Sequence, residues 1–272
     1  MDTYLIPFFF AVFIWWFSTG LVFMTDGRAP KARGWILIAV TILLFASLIG
    51  VWLTRDMTTV AGAYMAFGCG LGIWAWNEVM FLLGYVTGPV QHALPKGTGA
   101  GKKFLLAAGT VLYHEMAILI SGLVIILLSE NAGNRVAWWT FGVLWVMRLS
   151  AKLNVYFGVA NLAADLLPPH LAYLKSYFGT RCISAFFALS VTAGTVLAAL
   201  IYHGAHGSAF QITAAMLVGT MMALALLEHW LLVLPIQDAA LWKWAISPKS
   251  ETRPVEPAPD TVKRNATVAG TP

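Results

Sequence analysis

Apolar residues in this chain come in long unbroken runs, with no alternation of apolar and polar positions. Seven runs stand out, near residues 4–24, 35–53, 61–86, 104–128, 136–157, 183–203 and 210–234. Each is close to the roughly 20 residues that a helix needs to cross the hydrocarbon core of a bilayer. Lipid offers backbone amides no partner, so a crossing segment is either a helix or part of a closed barrel. Barrel strands alternate apolar and polar residues, and these runs do not. The pattern predicts an all-α polytopic membrane protein, a bundle of seven transmembrane helices within residues 1–246.

Composition agrees. Hydrophobic residues make up 59% of the chain and charged residues 11%, against about 25% charged in soluble domains. The net charge of +5 does not point to nucleic acid, because the basic residues follow the connections between runs. Thirteen of the 17 Lys and Arg lie after the first, third and fifth runs and in the tail, whereas the opposite connections hold only Arg55 and Arg135. By the positive-inside rule the N-terminus is periplasmic and the C-terminus cytoplasmic. Membrane lipid is the first partner implied. The first run lacks a basic leader and a small-residue cleavage site, so it reads as a retained helix. Cys69 and Cys182 lie in or beside apolar runs and imply no disulfide framework.

The remaining stretches have their own signatures. Small residues recur every four positions in the third run, at Gly62, Ala66 and Gly70 and at Gly68 and Gly72, a spacing that lets another helix approach closely. The connection 158–180 mixes Asn161, Asp165 and His170 with apolar residues around Pro168-Pro169, and reads as a partly helical interfacial loop on the cytoplasmic face. Trp242 and Trp244 fall where an aromatic belt would. The Trp15-Trp16 pair reads as belt or packing. Residues 247–272 are Pro, Thr, Glu and Lys without an apolar pattern, which predicts a disordered cytoplasmic tail.

Ionisable residues inside the runs carry the functional question, since each costs about 2.5–3.5 kcal/mol at the centre of a span. Glu78 lies in the third run, His114 and Glu115 near the middle of the fourth, and Glu228 and His229 late in the seventh. Arg148 and Lys152 are four apart in the fifth and so share a face, with Asn154 in the same helix. The predicted topology brings all of them to the cytoplasmic half. One reading is a polar network that selects helix neighbours. Another is a buried pocket for a ligand or a proton. A metal site from His114, His229, Glu115, Glu228 and Glu78 would suit zinc or iron and serve a membrane-embedded enzyme acting on a lipophilic substrate. A histidine could instead be the axial ligand of a tetrapyrrole. A proton-coupled transporter would use Glu and His as a relay, but no internal repeat is visible. Residue types alone leave these open, and they define no reaction.

Several longer motifs carry a resemblance. They are Glu78–Gly84 with Gly88-Pro89, the His114-Glu115 pair, NRVAWWTF at Asn134–Phe141 and RLSAKLNVYFGV at Arg148–Val159. LLPPHLAYLKSYF at Leu166–Phe178, SVTAGT at Ser190–Thr195 and EHWLLVLP at Glu228–Pro235 complete them. Over about residues 4–246 the chain resembles the PuhE-type photosynthetic complex assembly proteins of purple phototrophic bacteria. The resemblance implies a multi-pass protein of the bacterial inner membrane, cytoplasmic or intracytoplasmic, that acts as an assembly factor, and it carries over no established reaction. Such a factor would assist assembly of the reaction centre and core antenna or the bacteriochlorophyll supply to them. Bacteriochlorophyll or another tetrapyrrole is then the implied ligand. Photosynthetic apoprotein helices or pigment-synthesis proteins are the implied partners. The stretch before Leu166 is less acidic here than in that family, leaving Asp165 as the loop carboxylate.

Overall fold

Short polar breaks set the helix ends. The computed structural model describes residues 1–25, 30–161, 167–180, 183–235 and 241–245. Among them are seven α-helices: α1 Asp2–Phe23, α2 Pro30–Thr54, α3 Val60–Leu82, α4 Ala100–Leu128, α5 Val136–Phe157, α6 Ala185–His203 and α7 Ala209–Leu231. A 3-10 helix, Pro169–Tyr177, lies between α5 and α6, and there is no strand among the described residues. Thr59 and Ser184 cap α3 and α6 by accepting from Gly62 N and Phe187 N, and Ser208 with Gln211 forms a capping box on α7. Such caps satisfy amides that the first helical turn leaves unpaired.

Several expected boundaries move. α3 stops at Leu82 although apolar residues continue to Val86, because Gly84 takes a φ of +82° that a helix cannot contain. α7 ends at Leu231, three residues early. α2 and α4 start ahead of their apolar runs, at Pro30 and Ala100; Pro suits a first helical turn, and Lys102 and Lys103 are good helix formers that hydropathy passes over. Six helices are long and apolar enough to cross a membrane. The one left out is α5, which carries Arg148, Ser150, Lys152 and Asn154.

α3, α5 and α7 pack on one another and form the centre. α1 lies against α7 and α3, α2 against α3, α4 against α3 and α5, and α6 against α7 and α5. Leu43, Ile49, Leu123 and Leu200 are among the apolar side chains left exposed on the outer helices. Such a surface suits contact with lipid, which is as apolar as the side chains themselves. The chain alternates direction, so the α2–α3, α4–α5 and α6–α7 turns share one end, here called the hairpin end. The opposite, loop end carries the α3–α4 and α5–α6 connections.

The hairpin end is tightly closed. A Cβ on Gly70 would meet the Ala137 carbonyl and Thr140 of α5, and one on Gly72 would meet Ser47 of α2. Asn134, 3% exposed, donates through Nδ2 to the carbonyls of Thr54, Met57 and Gly62 and accepts from Val136 N. It joins the α2–α3 turn to the start of α5.

At the loop end the 3-10 helix lies over α3 and α4, with Leu171 and Leu174 packed around Phe81 and Val111. Tyr177 Oη donates to the His92 carbonyl at 3.1 Å, and Ser176 Oγ accepts from Leu94 N at 2.8 Å. Trp242 and Trp244, expected at an aromatic belt, both pack on α1. Trp242 is buried between Trp15 and Phe23, donates to the Trp16 carbonyl at 2.9 Å, and the Trp16 indole donates to the Leu241 carbonyl at 2.9 Å. Trp244 stacks on Phe17 above Gly20, where a side chain would collide with it. The expected tail at 247–272 lies outside the described residues.

Candidate functional site

Between α3, α5 and α7 at the loop end lies a cavity of about 630 Å³. α1, α4, the 3-10 helix and Trp242 complete its wall. Most of that wall is aliphatic or aromatic, and five charged side chains from four helices interrupt it: Glu78, Glu115, Arg148, Lys152 and Glu228.

Two of the carboxylates pair with the two cations, and indoles reach Glu115 and Glu228. Arg148 Nη2 donates to Glu78 Oε2 at 2.9 Å, and Lys152 Nζ donates to Glu115 Oε1 at 2.7 Å. The Trp145 indole donates to Glu115 Oε2 at 3.3 Å, so both oxygens of that carboxylate are engaged. The Trp15 indole donates to Glu228 Oε1 at 2.8 Å. Arg148 thus sits within the fields of Glu78, Glu228 and Glu115. Its side chain is 41% exposed, and the exposure is to the cavity whose wall it forms.

The histidines lie elsewhere. His114 is fully buried behind Glu78, its Nε2 at 3.8 Å from Glu78 Oε1 and its ring 4.6 Å from that of Phe81. Both its ring nitrogens and Glu78 Oε1 lack a hydrogen-bond partner. His229 turns to the opposite seam, with Nε2 at 3.0 Å from Ser150 Oγ and Nδ1 at 2.8 Å from the Ala225 carbonyl. Consecutive helical residues point about 100° apart, and Glu228 and His229 therefore serve different neighbours. Asn154 belongs to the same seam, donating to Ser190 Oγ of α6 at 3.0 Å. α5 is two-faced for this reason: positions 148 and 152 share one side, and 150 and 154 lie about 200° away.

The loop candidates separate as well. Asn161 donates to the Leu231 carbonyl at 2.9 Å and so ties the start of the α5–α6 connection to the end of α7. His170 is exposed, packed on Gly84, and does not line the cavity. Asp165 lies outside the described residues. Of the proposed metal ligands His114 and Glu78 come within 3.8 Å, but among the described residues no group of three His, Cys, Asp or Glu side chains converges. Sequence reasoning missed Trp15 as Glu228's partner. A buried indole N–H needs an acceptor, which was the available signal.

The arrangement suits holding a molecule that is mostly apolar and polar at one place. No solved structure matches the chain. A Rhodobacter capsulatus protein described as "Uncharacterized 30.4 kDa protein in puhA 5'region" is 32% identical over 243 residues, covering 86% of this chain and 88% of the relative. Residues 1–253 match the family described as "Protein of unknown function (DUF3623)". That match takes in every described helix and all five charged residues of the cavity, and the chain belongs to the DUF3623 family.

Proposed function

We propose that the chain is an integral membrane factor that assists assembly of the photosynthetic reaction centre and core antenna, or bacteriochlorophyll supply to them. It does so through the polar cavity. In this reading all seven helices span a bacterial inner or intracytoplasmic membrane, with the N-terminus periplasmic and the loop end cytoplasmic. The relative's printed name, which sets it beside the photosynthesis gene puhA, supports the biological setting.

One observation carries the molecular part: five charged side chains surround an open cavity instead of a packed seam. Each costs about 2.5–3.5 kcal/mol to place at mid-membrane, whereas an interhelical polar contact returns only about 0.6 kcal/mol on average. A network kept for stability would close on itself and exclude the void. A cavity of about 630 Å³ falls in the range of small-molecule sites, about 300–1,000 Å³. The metal-dependent enzyme draws less support, because His114 and His229 are held on different seams.

The test is complementation in the phototrophic host lacking its own copy. The chain with Arg148→Gln and Glu78→Gln together should accumulate to normal levels yet restore little reaction-centre and core-antenna absorption. Full restoration by that variant would remove the cavity from the function.

A further inference from the structure

We propose that the hairpin end holds a zwitterionic phospholipid of the phosphatidylethanolamine type, docked between the end of α4 and the start of α5. Its phosphate meets Arg135 and its ammonium meets Glu130. The site is separate from the loop-end cavity, and it rests on α4 and α5 crossing the membrane rather than on a role in assembly.

A cleft of about 360 Å³ opens where α4 gives way to α5. Ile126 and Leu127 of α4, Glu130 of the turn, and Arg135 and Trp138 at the start of α5 line it. No residue of α3 does, so the cleft stands apart from the closed seam of α3 with α5.

The two charges face one cleft without meeting. Glu130 and Arg135 are both exposed, and among the described residues no ion pair engages either side chain. Arg55 lies nearby but is already compensated. Its Nε is 3.5 Å from the Asp56 carboxylate, and its Nη2 donates to the Glu130 backbone carbonyl at 3.1 Å, which leaves the Glu130 carboxylate to the cleft. Helix polarity runs in the same order. Glu130 follows the C-terminal end of α4 and Arg135 is the N-cap of α5. A carbonyl end favours a cation and an amide end an anion. The cleft therefore has a cation-seeking side and an anion-seeking side.

That polarity selects the head group. An anionic head group would satisfy Arg135 and be repelled by Glu130, and a cationic one would do the reverse. A choline head group carries both signs, but its quaternary nitrogen has no N–H for a carboxylate. A primary ammonium offers three donors, and charge-assisted hydrogen bonds to a carboxylate are the stronger kind. Phosphate and ammonium on one short ethanolamine link meet both sides.

The apolar part of the cleft continues into the surface meant for lipid. Ile126 and Leu127 are 45% and 59% exposed, and Leu123, one turn back along α4, is 56% exposed. Residues three and four apart share a helix face, so these side chains form a track for an acyl chain leading away from the charges. Trp138 stacks with Trp139 at 5.0 Å beside the charged rim, and indoles favour the head-group level of a bilayer.

Native mass spectrometry of the purified full-length protein in detergent tests this. The protein is titrated with phosphatidylethanolamine, phosphatidylcholine, phosphatidylglycerol or diacylglycerol of identical acyl chains. One phosphatidylethanolamine should bind saturably and about fivefold tighter than each of the others, about 1 kcal/mol. Glu130→Gln should remove the preference over phosphatidylcholine, and Arg135→Gln the preference over diacylglycerol. Both positions are exposed, so the unfolding midpoint in detergent should stay unchanged in each variant. Tightest binding of phosphatidylglycerol would overturn the zwitterionic class. Equal binding of all four lipids would overturn head-group recognition, and an unchanged preference in both variants would overturn the place. Displacement by water-soluble glycerophosphoethanolamine at the lipid's own concentration would overturn a lipid as the occupant. Saturable binding of no lipid would overturn the proposal outright. None of these outcomes reads on complementation, so this site and the assembly role can fail separately.

Discussion

At the hairpin end α3 and α5 approach until the bare Cα of Gly70 rests on the Ala137 carbonyl. At the loop end the same two helices carry Glu78 and Arg148 and stand apart around a cavity. The first region is made of glycine, alanine, threonine and one asparagine bonded to three carbonyls. The second is made of long charged and aromatic side chains that meet at their tips. Small residues draw backbones together, so dispersion and backbone hydrogen bonds accumulate there. Long polar side chains hold backbones apart at considerable desolvation cost. Resistance to unfolding and capacity for a ligand are thereby separated along the same helices.

That separation has measurable consequences. The largest belongs to Asn134→Ala, which removes three hydrogen bonds to backbone carbonyls and the acceptor for Val136 N and should lower unfolding stability in detergent by about 2–3 kcal/mol without altering ligand binding in the loop-end cavity. Gly70→Ala comes next. Its Cβ would lie 2.9 Å from the Ala137 carbonyl, an overpacking that should cost about 1–2 kcal/mol, again with binding intact. At the loop end a double-mutant cycle on Arg148 and Glu78 should give a coupling of only about 0.6 kcal/mol, although the paired variant restores little complex assembly. A coupling several times larger would place the loop-end charges among the stabilising elements and erase the contrast. The smallest effect is expected at His170→Ala. This side chain is exposed and outside the cavity, so stability should stay within about 0.5 kcal/mol and binding should be unchanged.

The all-helical, membrane-type architecture was readable because the desolvation of backbone amides leaves continuous apolar runs only one fate in lipid, and six helices are long and apolar enough to cross. Even α5, the least apolar helix, was found at the same bounds, 136–157. Depth was readable too: counting along each run put Glu78, Glu115, Arg148, Lys152 and Glu228 near one level, and the structure places all five on one cavity. Azimuth was not. Whether position 228 or 229 faces the cavity depends on a rotation of about 100° that hydropathy does not encode in a mostly apolar helix, and His229 and Asn154, grouped with the charged residues by depth, turn to Ser150 and Ser190 instead. The early end of α3 escaped for a different reason. The backbone turns at Gly84 while hydrophobicity continues, and only the conformation of that glycine separates the two.

The return of Trp242 to α1 bears on how the chain is made. Trp16 exchanges hydrogen bonds with partners 225 and 226 positions further on, and Gly20 is kept bare for Trp244. Synthesis runs from the N-terminus, so α1 keeps an unfinished flank until residues 241–245, beyond the last described helix, have been made. A polypeptide released before residue 241 would hold every described helix and still lack the strip that covers Trp15 and Trp16. Quality control could tell a finished molecule from an interrupted one by that flank alone.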